Sequence, residues 1–145
     1  METKSNWIIL NLFLPLLPLI LRGLIKCLMG HLDFETISGS ELWFVMALVS
    51  LLIFQDLRLR SIPLDNNDKQ NERNSRANRF IMISIICIFF CSANEIFHIL
   101  VDVDKHEFYF TGNVSINFLS YISAIIVINY SLQTQEEFNL TSKFL

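Results

Sequence analysis

The stretch from Arg79 to Val103, RFIMISIICIFFCSANEIFHILVDV, decides the fold. It opens on a charge and then runs uncharged from Phe80 to Asn94. A helix crossing the roughly 30 Å hydrocarbon core of a bilayer needs about 20 predominantly apolar residues. The span is therefore complete only if it takes in Glu95 and His98. Ionisable groups at that depth are costly in lipid, face protein or water, and mark candidate functional sites. At helical spacing Ser84, Cys87, Cys91, Glu95, His98 and Asp102 share one face. The sequence predicts a spanning helix with a polar stripe that other helices cover or that lines water.

The rest of the composition agrees with a membrane bundle. Of 145 residues, 52% are hydrophobic and 17% charged, and the mean hydropathy is +0.45. Soluble domains carry about a quarter charged residues, interspersed, whereas here they are bunched. Four apolar runs near spanning length exclude a water-soluble globule, and the chain is too short for a second domain. With a net charge of −3, no basic field covers the whole surface. Cys27, Cys87 and Cys91 lie in or beside apolar runs without zinc-ligand spacing, and read as packing residues.

The spans are expected at about 7–29, 41–57, 80–102 and 116–132. The first resembles a signal peptide but has a long core with two prolines, is followed by Arg22 and Lys26, and lacks a small-residue cleavage site. It reads as a retained helix. Asn11, Pro15, Pro18 and Arg22 fall within an arc of about 60° that is expected to face inward. Arg22 either snorkels to the interface or pairs with a carboxylate, Glu95 being the candidate. Residues 31–40 read as a short acidic connection, Trp43 as part of an aromatic belt. The segment 58–79 reads as a polar loop and holds Arg58, Arg60, Lys69, Arg73, Arg76 and Arg79. The other two connections are dominated by Asp33, Glu35, Glu41, Asp104 and Glu107. The positive-inside rule then makes the basic loop cytoplasmic and both termini cytoplasmic. Residues 104–112 read as an outer turn with Tyr109 and Phe110 at interface depth. The fourth span gathers Asn117, Ser120, Ala124 and Ser131 on one side, the small and hydroxyl residues by which membrane helices approach closely. The fold class is all-α: an integral membrane bundle of four transmembrane helices, N-in and C-in.

Three chemistries compete for the polar stripe. The Glu95-x-x-His98 pair has the spacing of di-iron bundles, but those need a second such pair and two more glutamates; neither metal nor cofactor is expected. In a homo-oligomer, Glu95 or Asp102 becomes a ring of carboxylates, the usual device of cation pores, with His98 a turn away as a pH couple. Inside a monomer, Glu95 instead pairs with His98 or Arg22 as a structural group. Arg73, Arg76 and Arg79 form a candidate contact for a cytoplasmic regulatory protein or an anionic, nucleotide-type ligand, or else set topology at anionic headgroups. The loop has no aromatic residues for stacking on single-stranded nucleic acid. No GxSxG, P-loop, GxGxxG or HExxH occurs, and no enzymatic activity is expected.

Four short spans, a basic 2–3 loop, NLFLPLLPLILRGLIK in the first helix and a polar third helix resemble the small membrane subunits of bacterial anti-phage modules of the Hailong and Kiwa types. The resemblance is one of architecture. It implies a homo-oligomeric ion channel or membrane-disrupting effector in the inner membrane, held closed until a cytoplasmic signal acts. The sensing, pore or gating face then comprises Glu95, His98 and Asp102, with Asn11, Pro15, Pro18 and Arg22 on the facing helix. Immunity proteins against pore-forming bacteriocins share the size and layout, and imply a non-conducting interaction protein or accessory subunit.

Overall fold

The computed structural model describes residues 4–30, 39–59, 67–104 and 107–138. The acidic connection 31–38, most of the expected turn's charged tip (105–106) and the tail 139–145 lie outside the described residues. Helix α1 (Lys4–Ile8), a π turn (Ile9–Phe13) and α2 (Leu14–Leu28) form one continuous first rod. Helices α3 (Gly39–Leu59), α4 (Asn67–Asp104) and α5 (Glu107–Phe138) follow, antiparallel to their neighbours in sequence. All four rods are long and apolar enough to cross a membrane. This is the pattern of a multi-pass membrane protein.

The π turn sits where proline leaves it little choice. Pro15 and Pro18 cannot donate to the preceding turn, and a proline ring crowds the carbonyl four residues back. The chain widens by one residue, with the Leu14 N–H bonding to the Ile9 carbonyl. Asn11 donates its amide to the Trp7 carbonyl at 3.1 Å, satisfying an acceptor at the bulge. The rod ends at Gly30, whose φ of 73° lies in the left-handed region where a Cβ is unfavourable, and whose N–H bonds to the Cys27 carbonyl at 3.1 Å.

Helix α3 is the centre of the bundle. It buries residues on several sides, from Leu42, Trp43, Val45 and Met46 to Val49, Ile53 and Leu57. The first rod packs against α3, and α3 packs against both α4 and α5. Trp43 departs from expectation here: it is 2% exposed and stacks on Phe90 at 4.9 Å. It belongs to the core and not to an aromatic belt at the membrane surface. The small-residue face of α5 packs inward, with Ser120, Ala124, Val127 and Ser131 buried. The hydroxyls of Ser120 and Ser131 donate to their own helix, to the Asn117 and Val127 carbonyls. They therefore add no unpaired polar group to the contact.

Two expected loops are helix. The polar segment from Asn67 to Arg79 is the first third of α4, and Glu107–Gly112, expected as a turn, is the start of α5. At 1.5 Å per residue, α4 is about 57 Å long and α5 about 48 Å, against about 32 Å for α3. Both long helices overrun the hydrocarbon thickness, so polar turns continue the rods where water can solvate them. Asn, Arg, Gln and Glu are compatible with helix when packed or solvated, and propensity was too weak a guide to that segment.

Gly39 marks the tightest approach between helices. A Cβ there would collide with Asn117 Oδ1 and lie 2.8 Å from Asn94 Nδ2. Gly23 has open space around it. Gly39→Ala is expected to lower the melting temperature of the purified protein, with a loss of about 1–3 kcal/mol from overpacking. Gly23→Ala should leave it unchanged or raise it slightly, since alanine favours helix by about 0.5–1 kcal/mol.

Candidate functional site

The polar face of α4 divides at Asn94. Below it the face is covered: Ser84 donates to the Ala47 carbonyl at 3.1 Å, Cys87 is buried, and the Cys91 thiol donates to the Ser40 carbonyl at 3.3 Å. Asn94 is 3% exposed and donates Nδ2–H to Asn117 Oδ1 at 2.9 Å. The same oxygen accepts the Gly39 backbone N–H at 3.1 Å. Gly39 lies in the first described turn of α3, so Asn117 of α5 satisfies a backbone N–H of another helix. One carboxamide joins α3, α4 and α5.

Above Asn94 the cover ends. Among the described residues, α4 continues upward with the start of α5 packed along it. Phe97 lies between Phe108 and Tyr109, at ring distances of 6.3 and 6.5 Å, and against Gly112, where a Cβ would come within 2.8 Å of its ring. Glu95, His98 and Asp102 are exposed. His98 Nδ1 lies 3.6 Å from Asp102 Oδ2, with both side chains largely open. Such an exposed pair contributes little stability. From Phe80, the first apolar residue of the span, α4 climbs about 23 Å to reach Glu95. A hydrocarbon core of about 30 Å that begins at Phe80 thus includes Glu95 and reaches the level of His98.

The first rod does not supply the facing wall expected of it. Asn11 is buried and Pro15 half-buried, but Pro18 and Arg22 are exposed, and the rod's neighbour is α3. Arg22 forms an ion pair with Glu41 of α3, not with Glu95. At the other end of the rod, buried Trp7 donates its indole N–H to Asp56 Oδ2 at 2.8 Å. Asn11 thus serves the helix bulge and Arg22 the contact to α3.

The three arginines of the polar segment also separate. Arg76 is 18% exposed and reaches Glu137 at 2.6 Å, Glu72 at 3.8 Å and Thr134 Oγ1 at 3.4 Å. Its guanidinium lies over the rings of Tyr130 and Phe138. It clasps the end of α5 to α4. Arg73 is half-buried, and Arg79 alone of the three is exposed. Nearby, Arg58 of α3 donates to Asn78 Oδ1 at 3.2 Å. Among the described residues, no group of three or more His, Cys, Asp or Glu side chains is disposed to hold a metal ion.

Sequence reasoning missed the pairing of Asn94 with Asn117, and the pairs that Glu41, Asp56 and Glu137 make. The signal for the first two was present: two carboxamides in apolar surroundings need partners, and each other is the available one. Nothing in spacing alone pairs Arg76 with Glu137 or Trp7 with Asp56. No protein-family model matches the chain, and neither a curated protein nor a solved structure matches it.

Arg76→Ala should destabilise the protein by about 2 kcal/mol, the scale of hydrogen bonds to a charged group. Arg79→Ala should leave the melting temperature in detergent within error of the parent. Equal losses would show that the clasp contributes nothing specific.

Proposed function

We propose that this chain is one subunit of a homo-oligomeric ion-conducting membrane protein, with Glu95 facing water on a shared axis. The supporting observation is the exposure of Glu95 on a rod long enough to span. A carboxylate open to hydrocarbon is costly, and a second copy or a water-filled passage removes that cost. A ring of such carboxylates selects cations. Core residues such as Trp43, Met46, Ile53 and Phe80 fill the interior of a single bundle, so conduction requires several copies.

Arg58, Lys69, Arg73, Arg76 and Arg79 gather at one end, which supports placing that end and both termini in the cytoplasm. Gating from that side has a mechanical route. The Arg76 clasp holds the extended ends of α4 and α5, and α4 is one uninterrupted helix from there to Glu95. A regulatory protein or anionic ligand that displaced the clasp would act on the upper end of the same rod. The setting we propose, an effector of bacterial anti-phage defence in the inner membrane, rests on architectural resemblance alone.

One observation favours a second reading, a non-conducting immunity-type or accessory protein. The first rod exposes Ile9, Phe13, Leu21, Leu24 and Ile25, which leaves an apolar face free for another protein's helix.

Mass measurement in nanodiscs separates the two. A closed oligomer whose conductance loses cation selectivity in Glu95→Gln is the expected result. A monomer, or a current unaffected by Glu95→Gln, overturns conduction through this site.

A further inference from the structure

A cleft of about 210 Å³ opens on the outer side of the bundle, between α4 and α5, with Trp43 of α3 among its lining residues. Ile83, Ile86 and Phe90 line it from α4, and Ile126 and Val127 from α5. It lies within the apolar part of both spans. Arg79 precedes Ile83, Ile86 and Phe90 by four, seven and eleven residues, and therefore stands on the same face of α4. It sits one turn, about 6 Å, below the cleft. Helical side chains lean toward the N-terminus, so the guanidinium extends away from the apolar lining toward the polar end of the rod. Arg79 is exposed, and no carboxylate among the described residues pairs with it.

We infer that this face is a binding site for one anionic phospholipid of the surrounding bilayer, its phosphate on Arg79 and an acyl chain in the cleft. The cleft accepts only an apolar occupant, and the cation lies at the end where the hydrocarbon meets water. This vertical order, charge at the surface and an apolar slot beneath it, matches an acidic glycerophospholipid of the leaflet on the Arg79 side. A soluble phosphate compound has no chain to fill the slot, and a zwitterionic lipid offers Arg79 less net charge. The inference rests on the membrane-spanning reading and not on conduction.

The full chain is reconstituted in nanodiscs of phosphatidylcholine with a minority of phosphatidylglycerol, and retained lipid is identified by native mass spectrometry. Phosphatidylglycerol is expected to be retained in excess of its bulk fraction. Arg79→Gln should lower that preference about fivefold, the scale of one basic residue near an anionic surface. Ser123 of α5 also lines the cleft, and Ser123→Phe, which narrows it, should reduce retention of either lipid. Because that variant risks misfolding, the parent is also tested with brominated acyl chains. Bromines on phosphatidylglycerol should quench Trp43 fluorescence more than the same bromines on phosphatidylcholine, and Arg79→Gln should remove the difference. Equal retention and equal quenching by the two lipids in the parent overturn the site. So does release of the bound lipid by millimolar glycerol phosphate, which would make Arg79 a headgroup-only anion site. None of these outcomes depends on whether ions pass.

Discussion

The side-chain oxygen of Asn117 accepts from two donors on two other helices, the Gly39 N–H and the Asn94 amide. The first N–H groups of a helix have no partner within that helix, and hydrocarbon offers no water to supply one. Asn117 supplies one partner, and it does so only because Gly39 has no side chain to hold it off. This fixes the depth of α3 against α4 and α5. Beyond that level Glu95, His98 and Asp102 stand exposed on α4.

The opposite end is held by different chemistry. There the rods extend into polar sequence, and Arg76 joins α4 to α5 through two carboxylates, a hydroxyl and two ring faces. Hydrogen bonds to charged groups are stronger than neutral ones, and rings on the guanidinium limit its solvation. The pair α4–α5 is thus fastened near both ends, by a neutral network inside the apolar span and by an ionic one outside it. Trp43 and Phe90 pack between those fastenings, at the level of the lateral cleft.

The first rod is attached differently. It meets α3 through Trp7 and Asp56 at one end and Arg22 and Glu41 at the other, with Leu12 and Leu19 buried between. Its π turn and prolines interrupt the regular ladder, a feature associated with bends and with functional positions in helices. Among the described residues its main neighbour is α3.

The sequence by itself determined that the described residues are helical and that four segments are long and apolar enough to span a membrane. Apolar run length and charge clustering are local properties, and they survive any arrangement of the helices. It also determined the packing face of the fourth span, because small residues at Ser120, Ala124 and Ser131 suit close approach whatever lies opposite. The tertiary structure alone decided which polar groups meet. Asn67–Arg79 has no apolar run, and its helix is stabilised by contacts such as Arg76 with Glu137, 61 residues away in sequence. The stripe on α4 was legible as a stripe, but its division at Asn94 was not. Helical periodicity gives a direction around the axis, and whether that direction is covered depends on which neighbouring side chains pack against it.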